Sequence, residues 1–590
     1  MSDTIPSRLM SRRESDAPAY YVRAPDGWKE TPWRTYVSEV RGAAKAMMAL
    51  GVEPGGTVTI LGFNRPEWTI FDLAAMCAGG APAGIYTTCP AEDVRHICKN
   101  SGARIILVEN AAQLEKVESV RADLPELVHT VMMRGGVGGM SWSDFLAAGN
   151  GVTDEALDAR IAALGDDQLA TLVYTSGTTG FPKGVMLSHK NLSWTANTAL
   201  ALVDLRPLDC VLSYLPLSHI AEQMFSICIP VSTGGAIYFA ESLEKVPDNL
   251  KEVQPTLFFG VPRIWEKFHA AIEGKLAVAT GGKKALLGWA RGVGTLWSAA
   301  KNEGREPGTW LTVQHALASK LVFAKLKPAI GLGRARTCVS GAAPISKEVL
   351  EFFGSLDVRV HEVYGQSEDS GPTSFNVAGK NRWGTVGPAI PGVEVKIAAD
   401  GEILVRGPNV FLGYYGDPAA TAETMDGDWL LTGDLGAFDA DGFLSITGRK
   451  KEILITAGGK NIAPIRIESA LKNIPLVGEA VAIADRRKFV SAVLTLEPGA
   501  AERFAVANGI SVADLAGSPA LKAALDSAIA AVNANLMQVE HVRKFTVLPR
   551  ALTVEDGELT PSLKVKRRGV NKNWEKEIDA MYAENAGAGN

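Results

Sequence analysis

Residues 169–185 constrain this chain more than any other stretch. The apolar run Leu169-Ala-Thr-Leu-Val173 reads as a buried strand. Tyr174-Thr-Ser-Gly-Thr-Thr-Gly180 follows it, then Phe181-Pro-Lys-Gly-Val185. Side chains from Thr175 to Gly180 are small, so backbone N–H groups and hydroxyls can close on phosphate oxygens, and Lys183 adds a mobile positive charge. Ser188 is placed to cap a helix starting near Lys190. The loop is not the P-loop of NTPases, because Gly184 stands where a Ser or Thr would hold magnesium. An ordinary surface turn is the bland alternative. A Ser/Thr/Gly run closing on Pro-Lys-Gly is too particular for it.

The 590 residues exceed what one hydrophobic core spans, and length alone suggests about three to five domains. A hydrophobic content of 46% with 60 glycines points to globular α/β structure rich in turns. The net charge of -5 argues against a nucleic-acid binder. Cys77, Cys89, Cys98, Cys210, Cys228 and Cys338 are scattered, with no C-x-x-C pair, and read as reduced residues of a cytosolic protein. No signal peptide is visible at the N-terminus. No window approaches 18 charge-free apolar residues, so a lipid-facing role would be peripheral.

Val37, Val40, Ala44 and Met47 fall at helical spacing, with Gly51 as the stop. Thr57–Leu61 and Arg104–Val108 are short β-rich runs beside helical segments, which predicts a layered, largely parallel sheet. Residues 283–327 carry two basic amphipathic segments. Leu286, Trp289, Val293, Leu296, Trp297 and Ala300 share one helical face; Leu317, Leu321 and Ala324 share another, with lysines alongside. Such helices can lie on anionic membranes, but packing on the core is the expectation for any surface helix. Beyond residue 450 the strands 479–483 and 490–496, and helices near 499–508 and 519–538, predict a compact α+β module.

Other stretches carry chemistry less distinctly. In His361-Glu-Val-Tyr-Gly-Gln-Ser-Glu368, Tyr364 can stack on a base and Glu368 can hold a hard cation. Thr337-Cys-Val-Ser-Gly-Ala-Ala-Pro344 is a strand ending in tiny residues, with Ser346 as the cap of the helix behind. A hairpin over 435–447, turning at Asp439-Ala-Asp-Gly442, would bring Asp434 and Arg449 together, as an ion pair or a grip on ribose. Asp556 to Arg568 places Lys564 beyond a turn in a basic cluster, a pattern that is usually a solvated face.

In this order, these segments resemble the adenylate-forming superfamily, from about Trp33 to Arg568, and specifically its fatty acyl-CoA synthetases. Asp428-Trp-Leu-Leu-Thr-Gly-Asp434 through Gly448-Arg-Lys-Lys-Glu-Ile453 is similar to the signature of fatty-acid ligases. Ile455 to Pro464 and the segment 266–335 lean toward the long-chain and very-long-chain, bubblegum-type branch. The resemblance implies an α/β adenylate-forming enzyme fold: a large layered N-terminal domain over 1–450, and a small mobile α+β lid over 451–590.

It also implies roles. Thr175, Ser176, Gly177, Thr178, Thr179 and Gly180, with Lys183, would cradle the phosphates of ATP. Gly341, Ala342 and Ala343, with Tyr364, Gly365, Gln366 and Ser367, would line the adenine and acyl carbonyl. Glu368 and Thr175 would bind Mg²⁺. Asp434 and Arg449 would hold the ribose. Lys451 would be the hinge, Gly458 and Gly459 would line the coenzyme A channel, and Lys564 would serve adenylation. His219 falls beside the acyl pocket.

Three residues depart from the commoner pattern. Ala342 and Leu563 stand where Gly is usual, and Ser367 where Thr is usual, which puts pocket shape in question rather than chemistry. The implied activity is ATP-dependent ligation of a long-chain fatty acid to coenzyme A, through acyl-AMP. Medium-chain or aromatic acids, a carrier-protein acceptor, and a non-catalytic acyl-nucleotide binder are the alternatives. The sequence implies small-molecule partners only and leaves open both the oligomeric state, monomer or homodimer, and contact with the inner face of a membrane.

Overall fold

The computed structural model describes residues 2–175 and 181–583. The strand expected at 169 forms as Leu169–Thr175 and lies inside an eight-stranded sheet. On one side it pairs antiparallel with Lys183–Ser188, which in turn meets Gly413–Tyr414. On the other side run the parallel strands Ala81–Ile85, Thr57–Leu61, Ile105–Val108, His129–Met132 and Met140–Ser141. Thr57–Leu61, Ala81–Ile85 and Ile105–Val108 are buried throughout, as strands covered on both faces must be.

Helix Trp33–Ala49 buries Val37, Val40, Ala44 and Met47, the expected face, and Gly51 takes a φ of +85° just beyond its end. Helix Pro66–Cys77 is buried from Trp68 onward, on every face, so it is a core element between layers rather than a surface helix. Burial of a side chain such as Phe71 or Phe145 contributes about 1.5–3 kcal/mol.

Three further sheets complete the large body. Cys210–Ser213, Ala236–Phe239, Pro18–Ala24 and Gly27–Pro32 form one sheet. Leu257–Gly260, Thr337–Ser340 and Val360–Tyr364 run parallel in another, closed by Ser374–Phe375. The third holds the hairpin of Trp429–Phe438 and Leu444–Arg449 beside Glu402–Arg406. All six cysteines are buried and free.

The C-terminal module has its own apolar core, from Leu454 to Val542. The two strands expected here form as Val477–Ile483 and Val490–Leu496 and pair antiparallel. The helix expected over 519–538 ends at Asn533, and a strand not foreseen, Val542–Val547, pairs parallel with Val490–Leu496. That strand is short and charged at Arg543 and Lys544, so its apolar signal is weak.

Helix Gly281–Asn302 and helix Thr309–Ala318 form a hairpin around Ala290, Val293, Ala318, Val322 and Phe323. Gly294 lies so close to the Ser355 carbonyl that a Cβ would sit 2.3 Å from it, and Ser298 Oγ donates to Gly354 O at 2.9 Å. Packing on the core thus accounts for Val293 and Ala300. Leu286, Leu296, Leu317 and Leu321 stay exposed. Among the described residues no helix is long and apolar enough to cross a membrane.

Candidate active site

Parallel strands Thr337–Ser340 and Val360–Tyr364 end side by side, and open α/β sheets bind ligands beyond such carboxyl ends. Gly341, Ala342 and Ala343 follow the first; Gly365, Gln366 and Ser367 follow the second. A Cβ on Gly341 would lie 2.6 Å from Val363 Cγ1, and one on Gly365 would lie 1.6 Å from the Gly371 carbonyl. Both glycines are therefore required by close approach. Ala342 carries a φ of +68°, so the position usually held by Gly keeps its left-handed backbone here.

The hairpin delivers the expected pair. Asp434 and Arg449 stand opposite each other across the two strands, and Arg449 Nε donates to Asp434 Oδ1 at 2.8 Å. Tyr364 Oη donates to the other carboxylate oxygen at 2.9 Å. Burial, then the Asp434 charge, pushes the Tyr364 hydroxyl well above its usual pKa, so it remains a donor. The Asp434 carboxylate is thereby held by two charge-assisted bonds in fixed orientation.

Glu368 occupies a short turn after Tyr364, and Tyr414 Oη donates to its Oε1 at 2.8 Å. Tyr414 comes from the strand paired with Lys183–Ser188, and the Lys183 ammonium lies 4.9 Å from its ring centroid. Thr175 and Lys183 are cross-strand partners, so they flank the glycine-rich segment in the sequence. Ser176, Gly177, Thr178, Thr179 and Gly180 lie outside the described residues. Desolvation raises the Glu368 carboxyl, partly offset by the Tyr414 bond. Asp369 next to it is raised to about 8 by burial; Thr373 and the Gln366 N–H bind it, which makes it a support for the turn. Gln366 Nε2 is buried with no hydrogen-bond partner among the described residues.

From the C-terminal module, Lys564 reaches this same cleft. The residue keeps accessible surface, yet it lies near enough to Arg449, Asp434, Glu368 and Glu452 to feel their charges. Desolvation and the Arg449 charge lower its pKa, while Asp434, Glu368 and Glu452 oppose that. His219 caps a short helix, its Nδ1 accepting from Ala221 N at 3.2 Å. Burial and then the Lys564 charge push its pKa to about 4, so the imidazole is neutral near pH 7. Lys564 follows Leu563, which holds a φ of +61° where Gly is usual. Thr88 Oγ1 donates to Pro561 O at 2.5 Å, and Arg263 pairs with Glu479 at 2.5 Å; both join the large body to the module.

Lys451 is exposed in the one-turn link Lys450–Glu452, and its neighbour Lys450 is anchored to Asp400 (2.6 Å) and Glu402 (2.8 Å). Gly458 and Gly459 are not brought to this cluster. They form an exposed turn between Leu454–Ile455 and Asn461–Ile462, with nothing within 4 Å of a Cβ built on Gly459. Tyr414 and Thr88 were not foreseen, since only strand pairing and module docking, neither local in sequence, bring them in.

A lysine from the second body thus meets the charged groups of the first, and comparisons with known proteins give the family. Two family models match the chain: AMP-binding enzyme over residues 9–415, and AMP-binding enzyme C-terminal domain over 451–586. The chain is 39% identical to the long-chain-fatty-acid–CoA ligase ACSBG2 of Xenopus laevis, over 94% of this chain and 80% of that one. It is 37% identical to the long-chain-fatty-acid–CoA ligase FadD15 of Mycobacterium bovis, over 97% and 96%. In fold it is similar to the adenylation domain of a carboxylate reductase from Mycobacterium chelonae, with a TM-score of 0.76 at 22% identity, covering 98% of this chain and 91% of that one. With the two models spanning both bodies and relatives matched nearly end to end, the chain belongs to the AMP-binding, adenylate-forming enzyme family.

Proposed function

We propose that the chain is an AMP-forming long-chain fatty acid–CoA ligase, acting in the cytoplasm with peripheral contact at a membrane. The observation that carries the two-step chemistry is the meeting of Lys564 with Glu368, Asp434 and Arg449 in one cleft. The names of the relatives support the long-chain acid and coenzyme A as substrates.

A carboxylate resists a thiol because its leaving group would be oxide. Attack by its oxygen on the α-phosphorus of ATP forms an acyl–phosphate bond and breaks the bond to pyrophosphate, leaving AMP as a good leaving group. Charge spreads over phosphoryl oxygens, so positioning and electrostatics do most of the work. Asp434 and Arg449 would orient the ribose, Tyr364 the base, and Gln366 Nε2 would find in the nucleotide the acceptor it lacks in the protein. Lys183 and Lys564 would face the phosphates. No general base is required, and a neutral His219 can donate to the acyl carboxylate without adding charge.

Among the described residues no group of three or more His, Cys, Asp or Glu could hold a metal alone. One carboxylate, Glu368, with the Thr175 hydroxyl and phosphate oxygens, suits Mg²⁺. Bound there, the ion would neutralise phosphate charge. In the second step the sulfur of coenzyme A attacks the acyl carbon and AMP departs. Lys564 would obstruct that approach, so a turn about Lys451 would replace its loop by the Gly458–Gly459 face, as hinge motions do.

Pyrophosphate release from ATP with palmitate tests this reading. It predicts a burst near one equivalent without coenzyme A and steady turnover with it, best for long acyl chains. Turnover with benzoate and none with palmitate would overturn the substrate class.

A further inference from the structure

The described residues include 20 exposed large hydrophobic side chains, and seven of them lie between Val278 and Leu321. Four form a stripe on consecutive turns of the second hairpin helix and its continuation: Trp310 (72% exposed), Val313 (55%), Leu317 (49%) and Leu321 (44%). Leu296 (60%) shares with Trp310 a shallow depression of about 390 Å³, lined also by Leu311, Arg305 and Glu306. The inner face of the same helices is already satisfied by Ala290, Val293, Ala318, Val322 and Phe323. The stripe is therefore a second apolar face, which packing of the hairpin does not need.

Its charge sets it apart from the rest of the chain. Residues 281–330 hold eight Lys and Arg against two Glu, in a chain whose totals are 60 basic and 65 acidic. Several of these charges are used internally: Lys301 binds Glu306, and Lys327 binds Asp357. Lys320 and Lys325, exposed beside Leu317 and Leu321, have no ion-pair partner among the described residues, and 309–329 contains no Asp or Glu at all. An apolar stripe with tryptophan at one end, lysines at its edge and no acid along its own length, the nearby Glu306 being paired with Lys301, matches the chemistry of an anionic bilayer surface. There the rings and aliphatic chains sink to the acyl boundary while the lysine heads meet phosphate. A protein partner would have to supply acids against the lysines; a second copy of this chain would set lysines against lysines.

We propose that the outer face of residues 309–325, with Leu296, docks this protein on anionic lipid. The proposal rests on the ligase reading for its purpose, presenting the cleft where fatty acid is dissolved, though its evidence is independent of it. Co-sedimentation of the full chain with phosphatidylcholine vesicles, with and without phosphatidylserine, is the test. The wild-type protein should bind the phosphatidylserine vesicles and bind pure phosphatidylcholine weakly. Lys320→Glu/Lys325→Glu should lose about fivefold in binding per lysine at low ionic strength. Leu317→Ser/Leu321→Ser should lose about tenfold or more. Both variants should make acyl-CoA from albumin-delivered palmitate at the wild-type rate. Wild-type-like sedimentation of both variants would overturn the proposal. So would a dimer by light scattering that Leu317→Ser/Leu321→Ser dissociates in a protein that binds no vesicles. Vesicle binding by a wild-type chain that forms no acyl-CoA would keep the docking face and remove the ligase reading.

Discussion

The large body's face of the cleft and the loop carrying Lys564 differ in how firmly their charges are held. Asp434 is gripped by Arg449 and Tyr364, Glu368 by Tyr414, and Gly365 lies in close contact with Gly371. Among the described residues the Lys564 ammonium has no such clamp. It sits on a turn with Leu563 in a left-handed backbone, and the hydrogen bond from Thr88 to Pro561 and the Arg263–Glu479 pair tie its module to the large body. A conformation of that kind costs a non-glycine residue about 1–2 kcal/mol. The proposed nucleotide grip is therefore built in, whereas the lysine is delivered, and what is delivered can be withdrawn between half-reactions.

The sharpest way to break the contrast is Gly365→Ala. Its Cβ would displace the Gly371 backbone, so both half-reactions should be lost along with about 3 kcal/mol of stability, read by thermal unfolding and pyrophosphate release. A fully active, stable variant would show the built-in face to be soft. Next comes Asp434→Asn, which keeps shape but loses the charge that Arg449 and Tyr364 hold. We expect kcat/KM for ATP to fall about 10- to 100-fold, at ~1.5–3 kcal/mol for a charge-assisted bond.

A smaller effect lies in pH. In the proposed reaction the ammonium of Lys564 would face phosphate, and desolvation lowers its pKa below 10.5. Its charge is present below that depressed pKa and lost as pH rises through it. The kcat/KM of adenylation should thus fall earlier on the alkaline side than a free lysine would dictate, with no such limb for thioester formation from supplied acyl-AMP. The smallest change expected is from Arg263→Glu. An ion pair this exposed on the arginine side is worth at most about 1 kcal/mol, so the balance of the two half-reactions should shift by no more than about fivefold toward thioester formation, measured by quench-flow.

How much of this was legible in the sequence follows the same division. The strand before Thr175, the Ser188 cap, the hairpin and the Asp434–Arg449 partnership were readable, because each is set by local alternation, capping or a short turn. Tyr414 was not, since it meets Glu368 only after Gly413–Tyr414 pairs with a strand some 230 residues earlier in the chain. The neighbours of Lys564 were supplied by resemblance, not by spacing: from sequence alone its basic cluster reads as a solvated face. The amphipathic segments were half legible. Periodicity finds the apolar stripes of 283–327 but cannot say which stripe meets the core and which meets solvent.

The central claim is that Lys564 serves activation of the acid and stands aside for the thiol. Lys564→Ala, assayed separately for pyrophosphate release with palmitate and for palmitoyl-CoA formation from supplied palmitoyl-AMP, tests it most directly. The account predicts a loss of about 10²–10³-fold in the first rate, with the second within a few-fold of wild type. Equal losses in both, or an unchanged first rate, would contradict it.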